Sequence, residues 1–220
     1  SPPYDYIRLA PLLAGASNCI QNIKPRNNVM QIEYEATFTD INKDEVRAKL
    51  RAAGAKLVYS EILQKRVVFN LPVGHEIKGG WLRVRDEGDK ITMSLKVVDG
   101  NKIENQKELC LKIDNFDMAV AFLESIGCER KSFQESKREL WQLDGADITI
   151  DEWPFLEPYV EIEGQGEAQV KALSEKLGFD YSQTLFCSVD TLYIKKYGIT
   201  FERINSQTPL ITFNGPNPFL

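Results

Sequence analysis

A chain of 220 residues with 43% hydrophobic side chains has enough apolar mass to bury the core of one large domain or two small ones. Its 27 Lys and Arg against 32 Asp and Glu leave a formal net charge of -5, which argues against nucleic acid or an anionic membrane as a general partner. Any anion site must therefore be local. The four cysteines, Cys19, Cys110, Cys128 and Cys187, lie far apart with no Cys-x-x-Cys pair, which argues against zinc or redox motifs and fits a cytoplasmic protein. The apolar stretch 9–15 is short and broken by Pro11, so no bilayer span is expected.

Residues 1–30 hold prolines and asparagines without sustained periodicity and read as an irregular N-terminal arm. From Gln31 to Phe38 apolar and polar residues alternate as in a strand with two unlike faces. Asp40 or Asn42 then caps a helix over Lys43–Ala53, stopped by Gly54. The alternation returns over Leu57–Asn70, Trp81–Asp86, Lys90–Val97, Lys107–Ile113, Arg138–Leu143, Asp147–Asp151 and Tyr159–Glu163, predicting eight strands with the first. Helices are predicted over Phe116–Ile126, Ala168–Leu177 and Ser188–Tyr197, each followed by a glycine. The order implies an α+β fold built on an antiparallel sheet. Residues 199–220, rich in Pro and Asn, read as a tail wrapping the surface.

Period-two alternation puts the polar residues of each strand on one face. They are Glu33, Glu35 and Thr37; Arg83 and Arg85; Thr92, Ser94 and Lys96; Glu108 and Lys112; Arg138; Thr149 and Asp151; and Glu161 and Glu163. The other phase, with Ile32, Leu82, Val84, Leu95, Leu109, Leu111, Ile148, Ile150, Val160 and Ile162, is expected to form the core. A solvated sheet face normally mixes Thr, Ser, Lys, Glu and Gln. Here arginines and paired acids dominate, and a sheet curled into a tunnel aims them at one another. Arg forks and Lys ammoniums suit phosphate oxygens, while carboxylates one pleat apart offer hard oxygen ligands to Mg²⁺ or Mn²⁺.

With these residues in place the chain resembles the CYTH superfamily, the triphosphate tunnel metalloenzymes that include class IV adenylate cyclases, thiamine triphosphatases and inorganic triphosphatases. The matching pieces are Glu33-Tyr34-Glu35, Trp81-Leu82-Arg83-Val84-Arg85, Ser94-Leu95-Lys96, Lys137-Arg138, and Ile150-Asp151 leading to Tyr159-Val160-Glu161-Ile162-Glu163-Gly164. The resemblance runs from about Gln31 to Gly198, so residues 31–198 form the expected domain: an eight-stranded antiparallel β-tunnel with flanking helices. It implies Glu33, Glu35, Glu161 and Glu163 as metal-site acids, with Asp151 and Glu108 nearby. It implies Arg83, Arg85, Lys96, Lys137 and Arg138 as triphosphate-binding residues. Glu33 and Glu35 would also act in catalysis. Lys195 and Lys196 would plug one tunnel mouth.

Two departures stand out. The family opening Glu-x-Glu-x-Lys has Thr37 at its fifth position, which removes a cation expected at the phosphates. The second strand, which in the family carries two aspartates flanking a tyrosine, has Arg66, Val68 and Asn70 at those places, and an inward Arg66 would replace the missing charge in catalysis. The expected function is a divalent-metal-dependent enzyme acting on a small-molecule triphosphate, with hydrolysis slightly favoured. Cyclisation of a nucleoside triphosphate and binding without turnover are the alternatives, and the arms leave a homodimer open. His75, the one histidine, is read as a loop residue, and Trp81, Trp141 and Trp153 as packing, with Trp153 near the tunnel mouth.

Overall fold

The computed structural model describes residues 30–220, so the expected N-terminal arm and Cys19 lie outside the described residues. The described strands are β1 (Gln31–Ile32), β2 (Tyr34–Phe38), β3 (Lys56–Asn70), β4 (Gly80–Asp86), β5 (Ile91–Val98), β6 (Gln106–Ile113), β7 (Glu129–Leu143), β8 (Ala146–Glu152), β9 (Tyr159–Gly164) and β10 (Leu210–Ile211). The helices are α1 (Lys43–Ala52), α2 (Phe116–Ser125), α3 (Glu167–Lys176), α4 (Val189–Tyr197) and α5 (Phe201–Ser206). No described helix is long and apolar enough to cross a membrane.

The sheet runs β1-β6-β5-β4-β3-β7-β8-β9-β2, with β10 added alongside β7. β1 and β2 are consecutive in the chain and stand at opposite ends of this order, so the sheet curls until its two ends meet. The eight expected strands are recovered when β1 and β2 are taken as one run that changes partner at Glu33. Gln31 and Ile32 pair with β6, whereas Tyr34 to Phe38 pair with β9. A tight bend marks the change, with Glu33 N donating to Gln106 O and Glu35 N donating to Glu33 O, each at 3.0 Å. Gln106 Nε2 ties the bend down by donating to Glu35 O at 2.8 Å. The chain thus delivers Glu33 and Glu35 to the seam that closes the tunnel.

The polar phase faces the lumen and the apolar phase faces outward, under the helices. Asn42 caps α1 by accepting from Asp44 N and Glu45 N, and α1 presses Val46 and Leu50 onto Ile148, Ile150, Val160 and Ile162 together with Val170 and Leu173 of α3. A second cluster packs Val120 and Leu123 of α2 on Val67, Phe69 and Val84. Four residues assigned to the core lie outside its clusters: Ile32 and Leu111 are 39% and 50% exposed, and Leu95 and Leu109 are half-buried.

Two further corrections concern extent. β7 begins at Glu129, nine residues before the expected start, and pairs with β3 along nearly its whole length. The surface-wrapping tail is instead built into the fold: β10 pairs in parallel with Phe133 and Gln134, and Ile204, Ile211 and Phe219 are buried against Tyr193 of α4. The Phe219 ring lies 4.7 Å from Tyr193 and 5.3 Å from Tyr197. His75 sits exposed in the loop between β3 and β4, as expected.

Candidate active site

The lumen encloses a cavity of about 180 Å³ lined by Glu33, Glu35, Glu108, Glu161 and Glu163 and by Arg66, Arg83, Arg85, Lys96 and Arg138. Strand register explains the grouping. Arg66 lies opposite Arg85 across β3 and β4, Lys96 opposite Glu108 across β5 and β6, and Glu35 opposite Glu163 across β2 and β9.

Most of the cations are held by carboxylates. Arg138 Nε donates to Asp151 at 2.7 Å and its NH2 to Glu161 at 2.5 Å; Arg83 pairs with Glu108 at 3.0 Å; Lys96 Nζ lies 2.8 Å from Glu33 Oε2. Arg85 pairs at 2.8 Å with Glu87, a buried acid that also accepts from Thr92 Oγ1. Arg66 differs. It donates to Ser136 Oγ and, at 3.3 Å, to Gln64 Oε1, and its guanidinium stacks 4.3 Å over Trp153, with no carboxylate partner among the described residues. The Nε groups of Arg66, Arg83 and Arg85 are buried without an acceptor among the described residues. Leaving a charged donor unpaired costs about 1–3 kcal/mol or more, so each of these groups calls for an explanation.

The acid wall is equally tense. Burial pushes the Glu33 carboxyl up to about 7 against the pull of Lys96, and its hydrogen bond with Glu108 adds to the rise. Burial, then the neighbouring Glu161, holds Glu35 well above the ordinary range, and burial raises Glu161 and Glu163 as well. Glu108 is held well below the ordinary range beside Arg83. Among the described residues no three or more His, Cys, Asp or Glu groups are arranged to hold a metal ion. The donor chemistry nonetheless fits a hard divalent cation, because carboxylates raised by burial and by neighbouring acids are relieved by one.

These shifts give the pH dependence of stability a sign. A carboxyl that binds its proton more tightly when folded than when unfolded destabilises the fold increasingly as pH rises above its ordinary value of 4.5. For Glu33 the loss accrues up to about pH 7. The depressed Glu108 acts oppositely, its contribution being lost only as pH falls below about 4.5, outside this window. In chelator, Tm is expected to fall between about pH 5 and 7, and Mg²⁺ or Mn²⁺ to raise Tm more at the upper end than at the lower. Scanning fluorimetry at both pH values measures this, and an equal metal response at both would contradict the assignment of the acids.

Lys137 is not brought to the lumen. Neighbouring Arg138 in a strand, it faces the opposite side, where it joins Glu152, Glu61 and the Phe213 ring. Alternation alone excludes it. Thr37 is buried and faces no open lumen: its N–H and carbonyl pair with Leu185 at 3.0 Å, which caps that end of β2. Lys195 and Lys196 stand apart from the lumen cavity, beside a separate one lined by Thr39, Asp40 and Glu157. Trp81 and Trp153, read mainly as packing, both line the lumen, as do Tyr159, Gln134 and Cys187. Sequence reasoning missed Glu87 and Tyr159, although Arg85-x-Glu87 and Tyr159-x-Glu161 carry the same two-residue spacing that revealed the others.

A closed antiparallel sheet with arginines facing glutamates across its lumen defines a β-tunnel with a charged interior. The chain belongs to the CYTH domain family, whose model matches residues 31–192. Among solved structures it is similar to a candidate adenylate cyclase from Vibrio parahaemolyticus, with TM-score 0.64, 14% identity, and 74% of this chain and 98% of that one covered. It is also similar to the PH1819 protein from Pyrococcus horikoshii, with TM-score 0.61, 20% identity, and 74% and 99% covered. A conserved hypothetical protein from Pyrococcus furiosus follows at TM-score 0.58, 19% identity, and 69% and 94% covered. These likenesses show the fold. No curated protein matches in sequence.

Proposed function

We propose that the chain is a divalent-metal-dependent enzyme acting on a triphosphate held in the tunnel, with hydrolysis of the terminal phosphoanhydride as the favoured reaction. The observation that carries the reading is the set of buried guanidinium Nε groups of Arg66, Arg83 and Arg85 that lack acceptors among the described residues. A phosphate chain supplies oxygens along such a row, and guanidinium forks match their geometry. Lys96 and Arg138, already paired with acids, hold the opposite side of the chain.

Glu35, Glu161 and Glu163 would hold the cation, which when bound offsets repulsion between the acids and the phosphates and polarises the phosphoryl oxygens. Glu33, its carboxyl raised to about 7, is suited to take a proton from an attacking water near neutral pH. In that step the water oxygen bonds to the terminal phosphorus as the bridging bond breaks, and the arginines face the charge growing on the departing diphosphate.

A second reading, binding without turnover, draws on Thr37. Where the family resemblance expects a phosphate-contacting lysine, this chain has a buried hydroxyl residue capped by Leu185. The deciding experiment incubates the protein with tripolyphosphate, ATP, GTP and thiamine triphosphate, each with Mg²⁺ or Mn²⁺, and separates products by anion exchange. Orthophosphate release is expected. Cyclic nucleotide with pyrophosphate would replace hydrolysis by cyclisation. Metal-dependent binding without product would establish the second reading, and absence of both binding and product would sink both.

A further inference from the structure

The connection between β8 and β9 holds a bulky residue in a backbone conformation that suits glycine. Leu156 N donates to Trp153 O at 3.2 Å across a four-residue turn in which Pro154 is second and Phe155 third. Proline fixes a negative φ, and Phe155 has φ 65°, which makes the turn type II, whose third position ordinarily takes glycine or asparagine. A bulky side chain in the left-handed region persists only where surrounding contacts over-determine it, and such residues cluster at ligand clamps.

The contacts come from α4. Tyr193, wholly buried, donates its hydroxyl to Pro154 O, and Tyr197 donates its own to Phe155 O, each at 2.7 Å. Tyr197 is held in turn by the C-terminal residues. Asn217 Nδ2 donates to the Tyr197 hydroxyl at 3.1 Å, Phe219 N donates to Asn217 Oδ1 at 3.0 Å, and the Phe219 ring lies against both tyrosines. Arg203 of α5 fixes the same stretch by donating to Pro218 O at 2.6 Å. All of these donors lie past residue 192, where the family match ends. On its other side the turn begins with Trp153, over which the Arg66 guanidinium stacks at 4.3 Å. Carboxylates already orient Arg83, Arg85 and Arg138, whereas Arg66 has Trp153, Ser136 and Gln64 to aim it.

We propose that Tyr197 and Asn217 are positioning residues for the tunnel: the C-terminal segment, acting through α4, clamps the strained turn so that Trp153 holds Arg66 in the orientation that receives a phosphate. The inference rests on the proposed function, which sets a phosphate against Arg66. Neither Tyr197 nor Asn217 lines the lumen, so any effect on affinity reaches the ligand through the turn. Fixing a long guanidinium side chain before the ligand arrives removes an ordering cost from binding. Lifting residues 217–219 off α4 therefore lowers affinity without opening the sheet.

The test is a pair of double-mutant cycles with Arg66. Tyr197→Phe, which removes one hydroxyl and keeps the ring, and Asn217→Ala are each expected to lower affinity for tripolyphosphate and ATP with Mg²⁺ by about three- to tenfold in calorimetry, the contribution of one hydrogen bond. In an Arg66→Met background the same substitutions are expected to change affinity by less than about twofold, because the side chain they position is gone. Without ligand, acrylamide quenching of Trp153, taken as the difference between each chain and its Trp153→Phe counterpart, is expected to rise in both variants. Equal losses with and without Arg66 would mean that the effect travels through Val189, where α4 itself meets the lumen, and overturn the inference. Affinity or Trp153 quenching unmoved in both variants overturns it as well, and in each of these cases the proposed function stands. Binding of no triphosphate by the wild-type chain overturns the proposed function itself.

Discussion

Replacing Arg138 by methionine is expected to lower Tm by roughly 6–20 °C, the largest effect of any single lumen substitution. Arg138 is the common partner of two carboxylates, Asp151 at 2.7 Å and Glu161 at 2.5 Å, and Asp151 is almost wholly buried. Thr149 Oγ1 donates to the other Asp151 oxygen at 2.6 Å, but a hydroxyl offers no charge. Removing one member of a buried ion pair costs about 3–5 kcal/mol because the remaining charge stays desolvated. For a domain of this size each kcal/mol moves Tm by about 2–4 °C. The orphaned acids would then bind protons more tightly, so the deficit is expected to shrink at pH 5 relative to pH 7.5. Asp151→Asn added to Arg138→Met is expected to recover part of the loss. A fall of under about 2 °C, independent of pH, would mean that Asp151 and Glu161 are not charged partners of Arg138 in the folded chain.

Much of this lumen was legible because a β-tunnel turns a local rule into a global one. Glu33-x-Glu35, Arg83-x-Arg85 and Glu161-x-Glu163 each state which side of their strand is wet, and closure makes those sides one surface. The rule failed where neither side of a strand is apolar enough to show contrast. In the first half of β7, where the short β10 pairs alongside, the lumen side carries Ser132, Gln134 and Ser136, and the outer side carries Lys131, Phe133 and Glu135. No alternation of apolar and polar survives there, so the strand reads as a loop. The tail failed for a related reason: six residues of α5 and two of β10 are too few to show a period, and their order comes from packing of Ile204, Ile211 and Phe219 on α4. A chamber of about 430 Å³ beside the lumen was out of reach altogether, since its lining joins Trp81 of β4 and Val98 of β5 to Phe201 and Asn205, more than a hundred residues later.

Arg66→Met is expected to weaken triphosphate affinity by roughly 10- to 100-fold while leaving Tm in the absence of ligand unchanged or raised. The two effects have one cause. Among the described residues Arg66, buried beside Trp153, has only the neutral Ser136 and Gln64 as hydrogen-bond partners, and burial together with Arg85, Arg83 and Arg138 holds its guanidinium well below the ordinary range. A cation whose charged form is disfavoured on folding opposes the fold, and the sign is the reverse of that for Arg138. Stacking on Trp153 offsets about 2 kcal/mol of this, and the two neutral hydrogen bonds about 1 kcal/mol each. Desolvation of the ion costs several kcal/mol, comparable or larger, which is why removal leaves stability intact. A phosphate reverses the balance by supplying the missing charge: a charge-assisted hydrogen bond contributes about 1.5–3 kcal/mol, the source of the expected affinity loss. Arg66→Lys keeps the charge and loses the fork, so it should fall between the two for affinity without matching the methionine variant in Tm. Calorimetry with tripolyphosphate and Mg²⁺, paired with thermal melts in chelator, reads both quantities. Unchanged affinity in Arg66→Met would remove Arg66 from the phosphate site, and a large fall in Tm without ligand would show that Arg66 is held for structure.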